Sequence, residues 1–200
     1  YDNNGIGAAW VYSRSGGVWV QQGAKLIGTG AIGAARQGMS VSLSADGNTA
    51  VIGGMNDNGS KGAIWIFTRS GNVWTQQGSK LVGTGSGGGS QQGYSVSIYE
   101  DTLIFGGLTD NTSTGATWVF TRSSGVWTQQ GSKLVGTGAV GNARQGTSVS
   151  IYQNTLVSGG HQDNSNTGAV WVFTRSNGVW TQQGSKLVGT GAGAAAGQGS

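Results

Sequence analysis

The chain has 200 residues, of which 41 are glycine and none is proline or cysteine; only 9% are charged, and the formal net charge is +4. A collagen helix is excluded because glycine does not recur at every third position beside proline, and highly charged disorder is excluded by the eight tryptophans and the low net charge. Without cysteine there is no disulfide framework and no thiolate metal site, and no apolar run approaches the roughly 18 residues of a membrane span.

Tryptophan marks an internal repeat. The eight tryptophans form four pairs, nine residues apart within each pair, and successive pairs are offset by 55, 53 and 53 residues. The pairs are Trp10/Trp19, Trp65/Trp74, Trp118/Trp127 and Trp171/Trp180. The two extra residues of the first interval fall in a longer turn around Asp46-Gly47-Asn48, and the remainder of the chain is in register.

In chain order, a loop from Tyr1 to Gly7 leads into the second half of a repeat, and three full repeats then start near Gln37, Gln92 and Gln145. Each full repeat contains four short runs rich in β-branched and aromatic residues, bounded by Gly, Ser, Asn or Asp. In the second full repeat these runs are Tyr94 to Tyr99, Thr102 to Phe105, Ala116 to Thr121 and Val126 to Gln130. No segment has an apolar stripe long enough for a helix. The pattern predicts an all-β repeat.

A four-stranded repeat of about 50 residues is the size of a β-propeller blade, and stacking such blades buries both faces of each sheet. The alternative is a linear β-solenoid, whose coils are shorter and whose strands pair in parallel. We predict an all-β fold in which four-stranded blades build a β-propeller. Its single array comprises a half blade (1–36), three blades (37–91, 92–144, 145–197) and the start of a next blade (198–200). Because closed propellers have about four to eight blades, we expect these three and a half blades to belong to a larger propeller.

The segment ARQGTSVSIYQNTLVSGGHQDNSNTGAVWVFTRSNGVWTQQGSKLVGTG, from Ala143 to Gly191, resembles the FG-GAP-like repeat. That resemblance covers essentially the whole chain and implies the integrin-α type β-propeller found in many bacterial secreted and surface proteins. Two signatures differ from the family pattern. Glutamine stands where the family has phenylalanine, at Gln37, Gln92 and Gln145, and the family's Gly-Ala-Pro is Gly-Gly followed by Met55, Leu108 or His161.

The resemblance also raises the question of calcium, which integrin-type blades hold in an acid-rich loop between the first two strands. Here that connection is only Glu100-Asp101, Gln153-Asn154 or Ala45-Asp46-Gly47-Asn48. Calcium takes six to eight oxygen ligands, which none of these turns supplies alone. We therefore predict no cofactor and assign no metal site; the integrin-type calcium loop is absent, and calcium at another place in the blade stays an open alternative.

Two sets of residues are candidate ligand contacts. An Asp-Asn pair lies between the second and third strands of each full repeat, where it would serve as a structural turn or as a weak cation or sugar-hydroxyl site. The second tryptophan of each pair lies in the outermost strand, where partial exposure would allow it to stack on a sugar ring, the alternative being packing between blades. The candidate ligand-binding residues are Asp57, Asn58, Asp110, Asn111, Asp163, Asn164, Trp74, Trp127 and Trp180.

Other motifs favour structural roles. Gly28-Thr29-Gly30-Ala31-Ile32-Gly33 matches a dinucleotide-binding pattern, but a strand rather than a helix follows, so it is interpreted as a link between blades. Eight of the 11 basic residues recur evenly with the repeat, which argues against a nucleic-acid stripe. The single histidine, His161, occurs in one repeat only, and an acid/base centre needs several convergent ionisable groups.

From these observations we predict a non-catalytic structural or adhesive propeller module, located extracellularly or at the cell surface. The predicted partner is a protein or glycan surface, with neither nucleic acid nor a membrane span involved. Two alternatives stay open. One is a carbohydrate-binding propeller with one shallow site per blade, and the other is a self-assembling extracellular protein that associates through an open blade edge.

Overall fold

The computed structural model describes residues 2–193 and 195–200; Tyr1, where the predicted opening loop begins, and Ala194 lie outside the described residues. Short strands alternate with turns along the described chain. The strands are β1 (Tyr12–Ser15), β2 (Val18–Gln21), β3 (Ser40–Leu43), β4 (Thr49–Gly54), β5 (Ala63–Ser70), β6 (Val73–Gln76), β7 (Ser95–Tyr99), β8 (Thr102–Gly107), β9 (Ala116–Ser123), β10 (Val126–Gln129), β11 (Ser148–Tyr152), β12 (Thr155–Gly160), β13 (Ala169–Ser176) and β14 (Val179–Gln182). The helical segments are a 3-10 turn at Asn3–Gly5 and the four-residue turns α1 (Asp57–Ser60), α2 (Asp110–Ser113) and α3 (Asp163–Asn166).

The strands form antiparallel sheets in which each strand pairs with the next along the chain. Three sheets have four strands, in the orders β3-β4-β5-β6, β7-β8-β9-β10 and β11-β12-β13-β14, and are called the first, second and third blades. The half blade is the two-stranded sheet β1-β2. The all-β fold of four-stranded β-propeller blades is therefore confirmed.

Two strands of the second blade, β8 and β9, extend two residues beyond their predicted C-terminal ends. The second strand of the second blade continues beyond Phe105 because Gly106 and Gly107 pair with Thr117 and Ala116 of β9. The third strand continues to Ser123, which pairs with Val126 across the tight hairpin. Turn residues thus take part in the ladder, where composition alone had suggested a loop.

The core lies between neighbouring blades. Val51 of the first blade packs in one buried cluster with Leu103 and Phe105 of the second blade. Ile104, the residue between these two, belongs instead to a cluster with Leu156 of the third blade. Because successive side chains of a strand point to opposite faces, each blade presents apolar residues to both of its neighbours.

A link after each outer strand carries the chain to the next blade. After β6, Leu81 pairs antiparallel with Ile64 of β5, and Gln92 pairs parallel with Gly62 as the next blade begins. The Gln92 side chain is buried; it accepts a hydrogen bond from the amide of Gly83 at 2.6 Å and donates one to the carbonyl of Gly83 at 3.0 Å. The glutamine that stands in place of the family's phenylalanine therefore anchors the link.

The G-x-G-x-x-G segment is part of this link. A Cβ added to Gly83 would lie 2.1 Å from Cδ1 of Trp118, so only glycine allows the link to lie against the buried indole. The indole Nε1 of Trp118 donates to the carbonyl of the next residue, Thr84, at 2.8 Å. Because strand β7 rather than a helix follows the link, the motif acts in packing and does not form a phosphate-binding loop.

Candidate functional site

The Asp-Asn pairs lie at the start of α1, α2 and α3, immediately before the third strand of each blade. The aspartates Asp57, Asp110 and Asp163 are buried. Their Oδ1 atoms accept hydrogen bonds from backbone amides of the preceding link, at 2.7 Å from Ile32, 2.8 Å from Gly87 and 2.7 Å from Val140. Their Oδ2 atoms form ion pairs with lysines of the following link, which are Lys80, Lys133 and Lys186. Each aspartate thus connects the links on the two sides of its blade.

The asparagines of these pairs begin a left-handed turn. Asn58, Asn111 and Asn164 have φ values of 50°, 46° and 47°, and the next two residues of each turn also have positive φ. Left-handed backbone costs an L-residue about 1–2 kcal/mol, less for asparagine. The three asparagines are exposed, whereas the aspartates that precede them are buried.

The outer-strand tryptophans are less exposed than expected. Trp127 and Trp180 are buried, and Trp74 is half-buried. Their indole Nε1 atoms donate to glutamines of the preceding repeat, at 2.9 Å for Trp74 to Gln22 and for Trp127 to Gln77, and at 2.8 Å for Trp180 to Gln130. The expectation of partial exposure is therefore wrong for Trp127 and Trp180, because each preceding repeat covers the indole ring and accepts its hydrogen bond.

An arginine of the same hairpin lies over each of these rings. The guanidinium carbon of Arg122 is 5.1 Å from the ring centroid of Trp127, and that of Arg175 is 5.1 Å from the centroid of Trp180. For Arg69 and Trp74 the distance is 5.7 Å. A cation at this distance is attracted to the ring face, so the face that a sugar ring would need is occupied by a side chain of this chain.

The two sets of candidate residues lie at opposite ends of the third strand. The Asp-Asn turn precedes Ala63, the first residue of β5, whereas Trp74 pairs with Arg69 near the end of the same strand. At about 3.3 Å per residue, the six residue steps from Ala63 to Arg69 span roughly 20 Å. The structure therefore does not bring Asp57 and Asn58 together with Trp74 in one site, and the same arrangement recurs in the other two blades.

A different set of polar residues converges where the turns between first and second strands meet. A groove of about 400 Å³ between the second and third blades is lined by the turns at Glu100-Asp101 and Gln153-Asn154, and by Arg175. Arg175 donates to Asn154 at 2.9 Å and to Thr102 of the preceding blade at 3.1 Å. Sequence reasoning missed this arginine, although its recurrence opposite a polar turn in every blade was visible.

Tyr99 is among the residues that line this groove. The rings of Tyr99 and Tyr152 meet edge to face, with centroids 4.8 Å apart. Partial loss of water around Tyr99, followed by the nearby carboxylate of Glu100, raises the pKa of its phenol.

In the first blade the hydroxyl of Ser44 donates to Asp46 at 2.5 Å. This bond, with further donors from Asn48, lowers the pKa of the Asp46 carboxyl.

His161 lies at the end of the second strand of the third blade. The hydroxyl of Thr147 donates to the carbonyl of Arg144 at 2.7 Å, which leaves its oxygen to accept a hydrogen bond from Nδ1 of His161 at 2.9 Å. Burial, followed by the charge of Arg144, lowers the pKa of the imidazole.

Among residues 2–193 and 195–200, no three acidic or histidine side chains are grouped as metal ligands would be. Within the same residues, no helix is long and apolar enough to cross a membrane.

Comparison with known proteins gives no family. No family model matches the chain, and no curated protein matches it. Among solved structures, the chain is similar to the "putative 6-phosphogluconolactonase" from Bacteroides uniformis ATCC 8492, with 12% identity and a TM-score of 0.59 over 94% of this chain and 54% of that one. It is also similar to TolB from Acinetobacter baumannii, with 10% identity and a TM-score of 0.45 over 95% of this chain and 43% of that one.

These likenesses bear on the fold alone. At a TM-score of 0.45 the likeness to TolB carries no argument. The chain spans about half the length of the two structures it matches, 54% of one and 43% of the other. The resemblance to FG-GAP-like repeats stays a prediction. What the strand pairing and the likeness to the Bacteroides uniformis protein show together is an all-β chain of β-propeller blades.

Proposed function

We propose that the chain is a non-catalytic structural and adhesive β-propeller module of a secreted or cell-surface protein. The observation that supports this most is that the buried aspartates are bonded to groups of the chain itself. Both carboxylate oxygens of Asp110 have partners within the chain, the amide of Gly87 and the ammonium of Lys133. Asp57 and Asp163 are engaged in the same way. The polar residues that recur with the repeat thus hold blades and links together, which is the role expected of a rigid scaffold.

The outer surface supports an adhesive role through its chemistry. Charged residues make up only 9% of the chain, and several of them are used within it, as in the ion pair between Arg122 and Asp101. The exposed turns present uncharged polar side chains such as Asn58, Asn111 and Asn164. A rigid surface of this kind suits contact with a protein or glycan surface, and we assign it no metal and no cofactor.

Carbohydrate binding is the second candidate, and the exposed asparagines of the left-handed turns favour it. An exposed side-chain amide offers an acceptor oxygen and two donor hydrogens, which can bind sugar hydroxyls. The site would then consist of the asparagines without the outer-strand tryptophans, because the rings of Trp127 and Trp180 are buried.

A glycan array and a hydrolysis assay test the proposal. The array would carry the wild type and Asn111→Ala, and the hydrolysis assay would use 6-phosphogluconolactone, the substrate implied by the name of the Bacteroides uniformis protein. We expect no sugar signal that depends on Asn111 and no hydrolysis above a protein blank. Sugar binding that is lost in a folded Asn111→Ala variant would favour the lectin, and turnover proportional to protein concentration would refute the non-catalytic assignment.

The structural role of the aspartates is tested on the same protein. Asp110→Asn keeps an oxygen for the amide of Gly87 but removes the charge that pairs with Lys133. If Asp110 acts in the scaffold, this variant loses stability and leaves the outcome of both assays unchanged. An Asp110→Asn protein of wild-type stability that had lost a binding signal would place the residue in a ligand site.

A further inference from the structure

Two grooves lie where the turns between first and second strands of neighbouring blades meet. The second–third groove, between the second and third blades, has a volume of about 400 Å³, and the first–second groove has one of about 430 Å³. The first–second groove has the half blade before it and the third blade after it. A groove at this place is therefore a property of the junction between two blades and does not depend on the uncovered first and last faces of the array.

The two grooves differ in the partner of one arginine. In the first–second groove, Nε of Arg122 donates to Oδ1 of Asp101 at 2.6 Å, and the two side chains form an ion pair. In the second–third groove the corresponding arginine, Arg175, donates from Nε to Oδ1 of Asn154 at 2.9 Å. An amide oxygen accepts a hydrogen bond but carries no charge. Arg175 thus lacks the carboxylate that neutralises Arg122, and it forms no ion pair within the described part of the chain.

Arg175 also keeps hydrogen-bond donors that the chain does not use. Its Nη1 donates to Oγ1 of Thr102 at 3.1 Å and to Oε1 of Gln130 at 3.4 Å, both from the second full repeat. A guanidinium has five N–H donors, and those on Nη2 have no acceptor among residues 2–193 and 195–200. Because bonds to two blades hold the guanidinium in place, a ligand that accepts from Nη2 meets donors that are already oriented.

Glu100 supplies the opposite charge on the second-blade side of the groove. It is exposed at its turn, and its carboxylate has no ion-pair partner among the residues that the structure describes. Glu100 and Arg175 are therefore not paired with each other, although both line the second–third groove. Gln153 adds an exposed amide from the third blade. With Asp101 neutralised by Arg122, the groove offers one free positive and one free negative charge beside uncharged polar groups, and no net charge.

We propose that the second–third groove binds a neutral saccharide. Neighbouring hydroxyls of a sugar ring accept from the Nη2 donors of Arg175, and another hydroxyl donates to the carboxylate of Glu100, since a hydroxyl both donates and accepts. An anionic ligand would bring a like charge to Glu100, and a cationic ligand would bring one to Arg175. Tyr99, half-buried in the wall, adds aromatic surface for the C–H groups of the ring. The groove volume lies within the range of about 300–1,000 Å³ that is typical of small-molecule sites.

This site is separate from the exposed asparagines of the left-handed turns. Asn164 lies in the turn that precedes Ala169, the first residue of β13, whereas Arg175 lies at the other end of that strand. The six residue steps from Ala169 to Arg175 span roughly 20 Å. The inference rests on the proposed adhesive role, in which a glycan surface is one of the partners, and it gives that partner a binding site.

A glycan array and ligand-observed NMR on the whole chain test the proposal. The array carries neutral oligosaccharides of glucose, galactose, mannose and N-acetylglucosamine beside sulfated and sialylated ones. The NMR experiment titrates the same four neutral sugars, as monosaccharides, up to about 10 mM, ten times a weak dissociation constant of about 1 mM. Both measurements compare the wild type with three variants.

Two variants alter the groove and the third is a matched control. Arg175→Gln removes the Nη2 donors, and Glu100→Gln removes the free carboxylate. The control is Arg69→Gln, because Arg69 donates to Asn48 in the first blade, at 3.2 and 3.0 Å, as Arg175 does to Asn154 in the third, yet lines neither groove. Circular dichroism and thermal unfolding confirm that each variant is folded.

We expect the wild type and Arg69→Gln to bind a neutral sugar with equal affinity. Arg175→Gln and Glu100→Gln should each bind it at least about tenfold more weakly, because each substitution removes hydrogen bonds to a charged group. Sulfated and sialylated glycans should give no stronger signal than the neutral oligosaccharides from which they derive.

Four results would overturn the proposal. The first is a wild type that binds no neutral sugar up to about 10 mM, and the second is binding of anionic glycans alone. The third is an affinity unchanged in folded Arg175→Gln and Glu100→Gln but lost in Asn111→Ala, which would place the sugar at the left-handed turns. The fourth is an equal loss in Arg69→Gln, which would trace the effect to packing shared by all blades.

These outcomes are distinguishable from a failure of the proposed function. A non-catalytic scaffold is refuted by turnover in the hydrolysis assay, or by a binding signal lost in an Asp110→Asn protein of wild-type stability. Neither result depends on Arg175 or Glu100. A groove that binds no sugar therefore removes this site and leaves the scaffold, and its contact with a protein surface, as proposed.

Discussion

The indole Nε1 of Trp127 donates a hydrogen bond to Oε1 of Gln77, a residue 50 positions earlier in the chain, at 2.9 Å. Nε2 of the same glutamine donates to the carbonyl of Gly125 at 3.1 Å. One amide side chain of the first blade therefore satisfies two groups of the second blade, and Trp127 is 8% exposed at this contact. Residues that looked like surface positions in the outermost strand prove to hold neighbouring repeats together.

Gln77→Ala should destabilise the protein by about 1–3 kcal/mol, because it leaves the buried indole hydrogen of Trp127 without an acceptor. Gln183→Ala is the matched control: Gln183 is the corresponding residue of the last repeat, and its side chain is exposed. That change should alter the free energy of unfolding by less than about 0.5 kcal/mol. Urea denaturation at low protein concentration measures both. Equal effects of the two substitutions would contradict the assigned role of Gln77.

Gly83→Ala should be more damaging than Gly189→Ala, although the two glycines hold the same position in the repeat. The new Cβ at residue 83 would lie 2.1 Å from the buried ring of Trp118, whereas at residue 189 the nearest atom is 3.3 Å away in the flexible side chain of Gln198. Overpacking of this kind costs about 1–3 kcal/mol or more. Thermal unfolding of the two variants gives the comparison, and a Gly83→Ala protein as stable as Gly189→Ala would rule out the close contact with Trp118.

The left-handed turns predict a reciprocal pair of substitutions. Thr112 has a φ of 55° in α2, and the corresponding residue of α1 is Gly59, with a φ of 64°. Thr112→Gly should stabilise the protein by up to about 1 kcal/mol, because glycine adopts this conformation without strain, while Gly59→Thr should destabilise it by a similar amount. Chemical denaturation measures both changes. A loss of stability in Thr112→Gly would show that its side chain contributes more than its backbone strain costs.

The ion pairs of the repeats should differ in strength with burial. The side chain of Asp110 is 0% exposed and that of Lys133 is 21% exposed, whereas the related pair Asp2 and Lys25 is 31% and 38% exposed. Asp110→Ala should cost about 3–5 kcal/mol, since it leaves the ammonium of Lys133 poorly solvated without its partner, and Asp2→Ala should cost at most about 1 kcal/mol. Comparable losses in the two variants would mean that burial does not govern these pairs.

His161 predicts how stability varies with pH. Its pKa is lowered in the folded protein by burial and by Arg144, so the unfolded chain binds a proton more readily than the folded one. The stability contributed by the neutral imidazole is therefore present above about pH 6.5, the ordinary pKa of histidine, and is lost as the pH falls below it. His161 is the only histidine, so His161→Leu, which introduces the residue found at Leu108, should flatten the pH dependence between about pH 7.5 and 5.5. Urea titrations at several pH values measure this, and an unchanged slope would exclude His161 as its origin.

The strands could be predicted from the sequence because their signals are local. The alternation of serine with aliphatic residues in Ser95–Tyr99 and the paired tryptophans define strand positions and repeat register without any knowledge of long-range contacts. The polar contacts were harder to foresee, because they depend on how the link folds back across the blade. The sequence nevertheless contained a sign of the ion pairs. Asp57 and Lys80 are 23 residues apart, and the corresponding aspartate and lysine have the same spacing in each of the other repeats.

The exposure of the outer tryptophans could not be judged from one repeat. Trp127 and Trp19 occupy the same position in closely similar local sequences, yet their exposed fractions are 8% and 64%. The difference depends only on whether a preceding repeat is present in the structure to cover the ring. The left-handed turns were likewise hidden, since Asn and Asp are common in loops of many shapes.

Because the contacts between blades join only neighbouring repeats, they affect how the chain folds and unfolds. The side-chain hydrogen bonds between blades described above join residues 34 to 73 positions apart, so each tie links a repeat only to its immediate neighbour. In such an array, stability is close to a sum of repeat terms and neighbour terms, and order spreads from one unit to the next. Copying a repeat within the gene would therefore lengthen the protein without requiring any new kind of contact.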